Sequence, residues 1–410
     1  MQEPDHIPFS PPYIDEEIIH EVTETLRSGW ITTGPKVKEL EKFVANYTGV
    51  SQTLAVNSAT SALMLCLHWF GIRKGDEVII PAYTYCATAL AVMHVGATPV
   101  MVDVENDFTI SPDKIRTAIT TKTKAIIAVD FAGWPCAYEE IKEMIGDQEI
   151  TQKFKSGSDN QKQLGRILLI SDAAHALGAT YQNKPIGQWA DMTVFSLHAV
   201  KNVTSAEGGI ICLNLSKPFD NEKLYNQLRL WSLNGQTKDA LSKSQGGSWR
   251  YDIIYPGFKI NLPDVLAALA LAQLKKYDLY LLRERRRVFN FYYTFFQKNK
   301  TFQLPAFDDP DRQSSCHLFP IRVHHFTEEM RAMVIQKMAE KNISLNVHFV
   351  PLPMLTVFKN AGFDIAHFPK SYELYCNEIS LPVYPQLTDK LCLHICSELC
   401  KSVEEIWHDR

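Results

Sequence analysis

Between residues 50 and 213, short runs of β-branched and apolar residues alternate with stretches long enough for a helix. This order limits the possible folds, because parallel strands need a crossover of helical length whereas antiparallel strands can be joined by tight turns. Seven strands are predicted: Thr53–Val56, Glu77–Pro81, Pro99–Asp103, Ala125–Val129, Ile167–Ser171, Thr193–Leu197 and Gly209–Leu213. Helices are predicted between them, for example at Ser58–Phe70, Ala87–His94 and Ser111–Ala118. We therefore expect an α/β fold with a mainly parallel seven-stranded sheet flanked by helices.

The chain of 410 residues is too long for one compact core, so two domains are expected. A large domain is predicted over residues 1–275 and a smaller C-terminal α+β domain over residues 276–410. The small domain has predicted strands near Leu318–Val323 and Ile343–Phe349 and helices near Glu328–Lys341 and Asp389–Val403. Residues 147–165 are polar and interrupt a crossover, so we interpret them as an inserted, mobile surface excursion. The long helical pattern after Asn261 predicts a connection between the two domains.

Charge, apolar runs and cysteine usage exclude several classes of protein. The formal net charge of -4 shows no basic excess, so no nucleic-acid partner is expected. No apolar run reaches the ~18 residues that a membrane helix needs, so no membrane partner is expected either. The sequence starts with acids and prolines where a signal peptide has a basic segment and an apolar run. With nine cysteines in no regular framework, a cytoplasmic location is expected.

Three of these cysteines share one face of a predicted helix. Cys392, Cys396 and Cys400 are spaced four residues apart. Cysteine thiolates can bind a metal, but here neither a histidine nor a carboxylate completes a ligand set. We therefore predict that the three side chains pack in the interior and that the protein has no metal site.

An acidic and a basic side chain each follow a predicted strand. Asp172 ends the run ILLISD, and Lys201 lies just past TVFSL and ahead of a Gly-Gly pair. Ligands of parallel sheets bind beyond the carboxyl ends of the strands, so the two side chains are expected to face one crevice. Pyridoxal 5'-phosphate would use both, because an aspartate keeps its ring nitrogen protonated and a desolvated lysine forms a Schiff base with its aldehyde. A structural ion pair between the two residues explains the same spacing.

A phosphate group would need its own binding segment, and the chain offers one. VNSATSAL (56–63) leads from a strand into a helix, whose first amides and the hydroxyls of Thr60 and Ser61 could hold a phosphate. Ser196, on the strand that precedes the lysine, is another candidate phosphate ligand. Taken alone, a start of this kind is also an ordinary helix cap.

The ring of such a cofactor would also need a partner for its face. PAYTYCAT (81–88) places Tyr83 and Tyr85 at the end of another predicted strand. An aromatic side chain there can stack on a pyridine ring, although either tyrosine fits equally well in the core.

With these motifs in place, the chain resembles the DegT/StrS family of sugar aminotransferases, which are fold type I pyridoxal-phosphate enzymes. The motifs follow the family's order and cover most of residues 7–390. The segment around Lys201 is particularly similar to that of family members that make UDP-4-amino-4-deoxy-L-arabinose. The matching segments are GWITTGPKVKELEKFVANYTG (29–49), NSATSAL (57–63), GDEVIIPAYTYCATA (75–89), GATPVMVDV (96–104), DAAHALGA (172–179), FSLHAVKNVTSAEGGI (195–210), PGFKINLPDVLAALALAQL (256–274) and LPVYPQLTD (381–389).

The resemblance assigns roles to individual residues. It implies that Lys201 carries the Schiff base, that Asp172 pairs with the pyridine nitrogen and that His175 lies near the cofactor ring. The stacking aromatic is then Tyr85, and the positions that match phosphate ligands are Thr60, Ser61 and Ser196. Asn261 matches an asparagine that reaches the phosphate of the neighbouring subunit, which implies a homodimer with shared active sites.

Three further residues are candidates for contact with the substrate. His198, Arg250 and His348 are candidate substrate residues, and His348 lies where the family has a histidine or tyrosine before a substrate loop. The chain departs from the family's His-Gly at Asn234-Gly235 and from Asn-Tyr-Arg-Met at residues 261–264. Both departures lie near the expected substrate entrance, so they concern the identity of the sugar.

The resemblance implies a transaminase that works in amino-sugar biosynthesis for surface polysaccharide. Glutamate or glutamine would leave its nitrogen on the cofactor as pyridoxamine phosphate, and a UDP- or dTDP-linked keto-sugar, expected to be a 4-keto sugar, would then receive it. One alternative is a sugar dehydratase that uses the same cofactor, although such relatives carry histidine at the position of Lys201. The other alternative is a non-catalytic regulatory protein that binds pyridoxal phosphate.

Overall fold

The computed structural model describes residues 6–238 and 250–408. The strands up to residue 213 are β1 (Gln52–Val56), β2 (Glu77–Pro81), β3 (Thr98–Val102), β4 (Thr123–Val129), β5 (Leu168–Asp172), β6 (Thr180–Tyr181), β7 (Lys184–Pro185), β8 (Met192–Ser196) and β9 (Gly209–Leu213). Seven of them form one sheet in the order β1-β9-β8-β5-β4-β2-β3. The neighbours from β3 to β8 are parallel, and β9 runs antiparallel to both β1 and β8. The predicted mainly parallel sheet is confirmed, and the predicted strands extend at most one residue past the observed bounds.

Helices cover both faces of this sheet. They are α1 (Glu16–Arg27), α2 (Pro35–Thr48), α3 (Ala59–Trp69), α4 (Cys86–His94), α5 (Pro112–Ala118), α6 (Tyr138–Gly146), α7 (Gln148–Lys153), α8 (Asp159–Leu164), α9 (Asn221–Ser232) and α10 (Asp264–Leu274). Side chains of α2, α5, α6 and α10 form one core, and those of α3, α4 and α9 form the other. Successive residues of β4 enter opposite cores, with Ile126 in the first and Ile127 in the second. A strand that is buried on both faces needs apolar residues throughout, which explains the continuous apolar runs in the sequence.

The chain leaves the large domain through a broken helix. The helix α10 ends at Leu274, and a π-helical turn at Tyr277–Leu281 leads into α11 (Leu282–Phe296). The predicted helical connection is therefore present, with an interruption between its two halves. The boundary predicted at residues 275 and 276 falls at this interruption and stays a prediction.

The remaining elements build a smaller α+β unit. They are β10 (Phe302–Gln303), β11 (Arg312–Gln313), β12 (Phe319–Val323), α12 (Glu328–Glu340), α13 (Thr356–Asn360), α14 (Pro369–Asn377), β13 (Glu378–Leu381) and α15 (Asp389–His408). Strands β10, β12 and β13 form an antiparallel sheet against which α11, α12 and α15 pack. Cys392 and Cys396 are buried in this core and Cys400 lies at its edge, as their helical spacing predicts. Within the described chain, no helix is both long and apolar enough to cross a membrane.

The strand predicted at Ile343–Phe349 is wrong. The segment makes only single bridges, from Ile343 to Ile7 and from Asn346 to Ser380. After Asn346 the contacts with β13 run through side chains, since the backbone N–H of His348 donates to Glu378 Oε2 at 3.0 Å, so no ladder forms. The apolar residues Val347 and Phe349 line a cavity, described below, instead of joining a sheet.

The polar segment at residues 147–165 is more ordered than a mobile excursion. It forms the short helices α7 and α8, and both Ile150 and Gln161 are buried. The amide of Gln161 donates to Phe70 O at 3.0 Å, and the Ser158 hydroxyl donates to the same oxygen at 2.8 Å. These side chains satisfy a carbonyl at the end of α3, which explains why a polar sequence packs here.

Candidate active site

A cavity of about 560 Å³ lies beyond the carboxyl ends of β4, β5 and β8, between the large sheet and the smaller α+β unit. Parallel strands direct the residues that follow them to one edge of the sheet, which brings together segments far apart in sequence. Eight of the residues singled out from the sequence line it: Thr60, Tyr85, Asp172, His175, Ser196, His198, Lys201 and His348. Ser61, Arg250 and Asn261 are not among its lining residues.

Asp172 forms the buried acidic end of the cavity. Its carboxylate accepts hydrogen bonds from the Thr88 hydroxyl at 2.8 Å and from the backbone N–H of Ala174 at 3.3 Å. Burial raises the pKa of Asp172, while these two donors and the charge of Lys201 oppose that shift. A carboxylate held this way suits a cationic partner in the cavity. Thr88 escaped the sequence reasoning, although it lies three residues after Tyr85 in a motif that was examined.

Lys201 lies in the turn after β8. Burial lowers the pKa of Lys201 from 10.5 to about 8, and Asp172 opposes the shift by favouring the charged ammonium. The amine therefore loses its proton far more readily than a lysine in water. The next residue, Asn202, anchors the turn, because its amide donates to Ser315 O at 2.9 Å and to the Tyr277 hydroxyl at 3.1 Å.

Two histidines stand side by side in the cavity wall. His175 accepts a hydrogen bond at Nδ1 from the backbone N–H of Ala132 at 3.2 Å, and its ring centroid lies 4.3 Å from that of His317. The Nδ1 atom of His317 lies 2.9 Å from Asn202 Oδ1. Burial lowers the pKa of both histidines well below its usual value. The charge of Lys201 adds to the shift of His175, and the neighbouring His175 adds to the shift of His317, so both rings are neutral at pH 7. His317 was not singled out in the sequence, where a lone histidine at a strand start carries no signal.

The start of α3 borders the cavity from the opposite side. Ser58 caps this helix by accepting from the Ser61 N–H at 3.1 Å, and its hydroxyl donates to Ser61 Oγ at 2.9 Å. Ser61 is thus engaged in the cap, whereas Thr60 faces the cavity together with Ser196. A Cβ on Gly209 would lie 2.5 Å from Ala59 N, so glycine is required where β9 passes under this helix start.

Tyr85 is exposed, whereas Tyr83 is buried. Tyr85 is 59% exposed at the cavity rim, and its ring centroid lies 5.7 Å from that of Phe349. Tyr83 is fully buried and packs against Phe108 and Phe131, so it belongs to the core. The exposed ring of Tyr85 is the one available to stack on a ligand.

The remaining candidates lie at the rim or outside the cavity. His198 is half-exposed and its Nε2 lies 3.6 Å from Glu207 Oε1. Asn261 donates from Nδ2 to Thr33 Oγ1 at 2.6 Å and accepts from Lys259 Nζ at 2.6 Å. Arg250 is exposed and adjoins residues 239–249, which lie outside the described chain. Neither Asn261 nor Arg250 reaches the cavity of its own chain.

The cavity fits pyridoxal phosphate. An acid at one end, an amine of lowered pKa, the amino end of a helix and an exposed aromatic ring match the ring nitrogen, aldehyde, phosphate and ring face of that cofactor. Among the described residues, no group of three side chains is arranged to hold a metal ion.

Comparisons with known proteins agree with this chemistry. The model of the DegT/DnrJ/EryC1/StrS aminotransferase family matches residues 12–153 and 159–400. The spore coat polysaccharide biosynthesis protein SpsC of Bacillus subtilis is 37% identical over 392 residues, which are 93% of each chain. Spr1654 of Streptococcus pneumoniae is assigned as a sugar aminotransferase, and its structure has been solved in the PMP form. It is 45% identical to this chain, with a TM-score of 0.94, and the match covers 98% of this chain and 100% of Spr1654. Helicobacter pylori PseC, an aminotransferase of pseudoaminic acid biosynthesis, is 28% identical with a TM-score of 0.84 over 98% of this chain and 100% of its own.

Proposed function

The chain belongs to the DegT/DnrJ/EryC1/StrS aminotransferase family, and on that premise we propose that it moves an amino group from glutamate or glutamine to a keto-sugar nucleotide. It is a sugar aminotransferase that depends on pyridoxal phosphate. The nucleotide-linked sugar and the amino-acid donor are the finer parts of the proposal, together with the roles of individual residues. The observation that carries these roles is the placement of Asp172 and Lys201 in one cavity.

The residues that would hold the cofactor divide by chemistry. Thr60, Ser196 and the amides at the start of α3 would bind its phosphate, and Tyr85 would cover its ring. Asp172 would pair with its ring nitrogen, where the Thr88 hydroxyl keeps the carboxylate in place. When bound, the cofactor supplies an aldehyde that takes up the amino group and a ring that withdraws electrons from the reacting carbon.

Lys201 has the properties of the group that moves the proton. Its pKa near 8 lets Nζ accept a proton at neutral pH and give it back, which general acid–base catalysis requires. His175 and His317 stay neutral, so they add no positive charge that would compete with the ammonium for Asp172.

A dimer would complete the site. Asn261 lies outside the cavity of its own chain, held by Thr33 and Lys259, which supports the proposal that it serves the phosphate of a neighbouring subunit. Exposed apolar side chains on the same part of the chain, at Tyr251, Ile253 and Ile254, support a contact between subunits.

The substrate is tested by incubating the purified protein and pyridoxal phosphate with glutamate and a panel of UDP-, dTDP- and GDP-linked 4-keto sugars. Mass spectrometry should reveal an amino-sugar nucleotide with at least one of them. A deoxy-keto-sugar without nitrogen would instead identify the dehydratase, and Lys201 argues against that reaction. If no keto-sugar is consumed and the cofactor spectrum does not change when glutamate or glutamine is added, the proposal that the protein is a transaminase is contradicted.

A further inference from the structure

His348 reaches the cavity from a loop that β13 holds at several points. The backbone N–H of Ser380 donates to Asn346 O at 2.8 Å. Two residues further on, the backbone N–H of His348 donates to Glu378 Oε2 at 3.0 Å, and His348 Nδ1 lies 2.9 Å from Ser380 Oγ. Side chains of one strand therefore hold both the backbone and the ring of this histidine.

The carboxyl group behind this contact is costly to bury. Glu378 is fully buried, and burial raises its pKa to about 8, which the hydrogen bonds from Ser380 and the His348 backbone and the charge of Arg331 oppose only in part. Within the described chain, its carboxylate bonds with the Ser380 hydroxyl at 2.5 Å and with the His348 backbone. Replacing a buried ionisable group with an apolar residue of similar size commonly leaves the stability of a protein unchanged or increases it. Stability therefore does not explain why a carboxyl group is buried here, and its contact with His348 indicates a role in placing that residue.

The contacts leave one nitrogen of the histidine available. Phe9 stacks on the ring at 5.4 Å and Phe349 meets it edge-on at 5.0 Å, so the plane of the ring is fixed. With Nδ1 turned to Ser380, Nε2 is the nitrogen left for a ligand in the cavity. Burial and the charge of Lys201 lower the pKa of His348 to about 3, so the ring is neutral at pH 7. A neutral imidazole suits a hydroxyl group, which can both donate and accept, better than a phosphate.

We propose that Glu378 and Ser380 are positioning residues, which fix His348 so that its Nε2 exchanges a hydrogen bond with a hydroxyl group of the keto-sugar. This inference rests on the proposed function and adds a specificity contact to it. Glutamate has no hydroxyl group, so as an amino donor it would not make this contact.

The test separates the two halves of the reaction in the full-length enzyme loaded with its cofactor. The sugar probe is the member of the keto-sugar panel that the wild type converts fastest. We expect Ser380→Ala to raise the KM for this sugar roughly tenfold, because it removes one hydrogen bond of a buried chain. The half-reaction with glutamate, followed by cofactor absorbance, should be unchanged. Glu378→Gln should also raise this KM, because the amide NH2 that replaces one carboxylate oxygen cannot accept a hydrogen bond, whereas the two oxygens of Glu378 accept from the His348 N–H and from the Ser380 hydroxyl.

A double-mutant cycle decides whether Ser380 acts through His348. If it does, Ser380→Ala combined with His348→Ala should be no worse than His348→Ala alone. Ser402→Ala serves as the control, since Ser402 is also a buried serine of the small unit and its hydroxyl contacts Met338. An unchanged KM for Ser380→Ala, additive effects in the cycle, or an equal loss in the glutamate half-reaction would overturn the inference. A wild type that converts no keto-sugar of the panel would instead overturn the proposed function on which it rests.

Discussion

At the scale of single residues, the proposed chemistry depends on an acid and an amine that are both buried, and burial shifts both pKa values. Burial raises the pKa of Asp172 and lowers that of Lys201, and each charge partly restores the other. Both shifts favour the neutral forms, so a bound cation would stabilise the ionised form of Asp172. A protonated ring nitrogen of the cofactor would provide that charge.

Asp172→Asn should lower kcat about a hundredfold or more, because it removes the negative charge that keeps the ring nitrogen protonated. Thr88→Val should have a smaller effect, of roughly tenfold, since it removes one of the hydrogen bonds that hold the carboxylate. Steady-state kinetics with saturating amino donor measure both changes. Full activity of Asp172→Asn would remove this residue from the mechanism.

The lowered pKa of Lys201 predicts how the apoprotein responds to pH. The free amine is the reactive form, so the rate of pyridoxal phosphate uptake should rise with pH and level off above a midpoint near 8. Asp172→Asn should move the midpoint to lower pH, because Asp172 stabilises the ammonium. Stopped-flow absorbance at a series of pH values measures this. A midpoint near 10.5, the value of an ordinary lysine, would show that burial does not act on this amine.

The acid and the amine could be identified from the sequence because Asp172 ends one clear apolar run and Lys201 lies just past another. The sequence could not identify His317 or Thr88 in the same way. His317 reaches the cavity only through the packing of the small unit on the large domain, and Thr88 acts through a side-chain hydrogen bond across the sheet edge. Such contacts depend on the tertiary structure and leave no periodic pattern in the chain.

At the scale of elements, the strands of the large sheet were predictable and the segments between the domains were not. Strands buried on both faces have a strong compositional signal, as in β4. The run at Ile343–Phe349 has a similar composition, but its side chains face a cavity and an aromatic cluster instead of a ladder. The polar residues of α7 and α8 resemble a loose loop because their packing uses hydrogen bonds instead of apolar contacts.

The contact between β9 and α3 should be sensitive to one methyl group. Gly209→Ala would place a Cβ 2.5 Å from the backbone of Ser58 and Ala59, which must displace the helix start beside Thr60. We expect weaker retention of pyridoxal phosphate together with a lower Tm. Gly146→Ala is the control, because its added Cβ would meet nothing within 4 Å at the end of α6. Unchanged retention in Gly209→Ala would contradict the assignment of this helix start to the phosphate.

At the scale of the whole molecule, the large sheet and the smaller α+β unit both line the site, and we propose that two domains and two subunits share it. The large domain contributes the acid and the amine, while the small unit contributes His317, His348 and Phe349. The family resemblance indicated a partner subunit through Asn261, and the structure adds that this residue does not line the cavity of its own chain.

Complementation tests the shared site. Lys201→Ala should be inactive and Asn261→Ala strongly impaired, yet coexpression should restore roughly a quarter of wild-type activity, because half of the dimers are mixed and each then has one intact site. If Asn261 served its own chain, mixed dimers would contain no intact site. Activity that stays at the average of the two variants would therefore refute the contribution in trans.

The central claim is that Asp172 and Lys201 hold one pyridoxal phosphate for amino transfer, and cofactor absorbance tests it most directly. The wild type with bound pyridoxal phosphate should lose its visible band on addition of glutamate and recover it with the accepted keto-sugar. Lys201→Ala should show neither change in successive turnovers, whereas Lys359→Ala, on an exposed helix residue, should behave as the wild type. A Lys201→Ala protein that keeps full turnover would contradict the account.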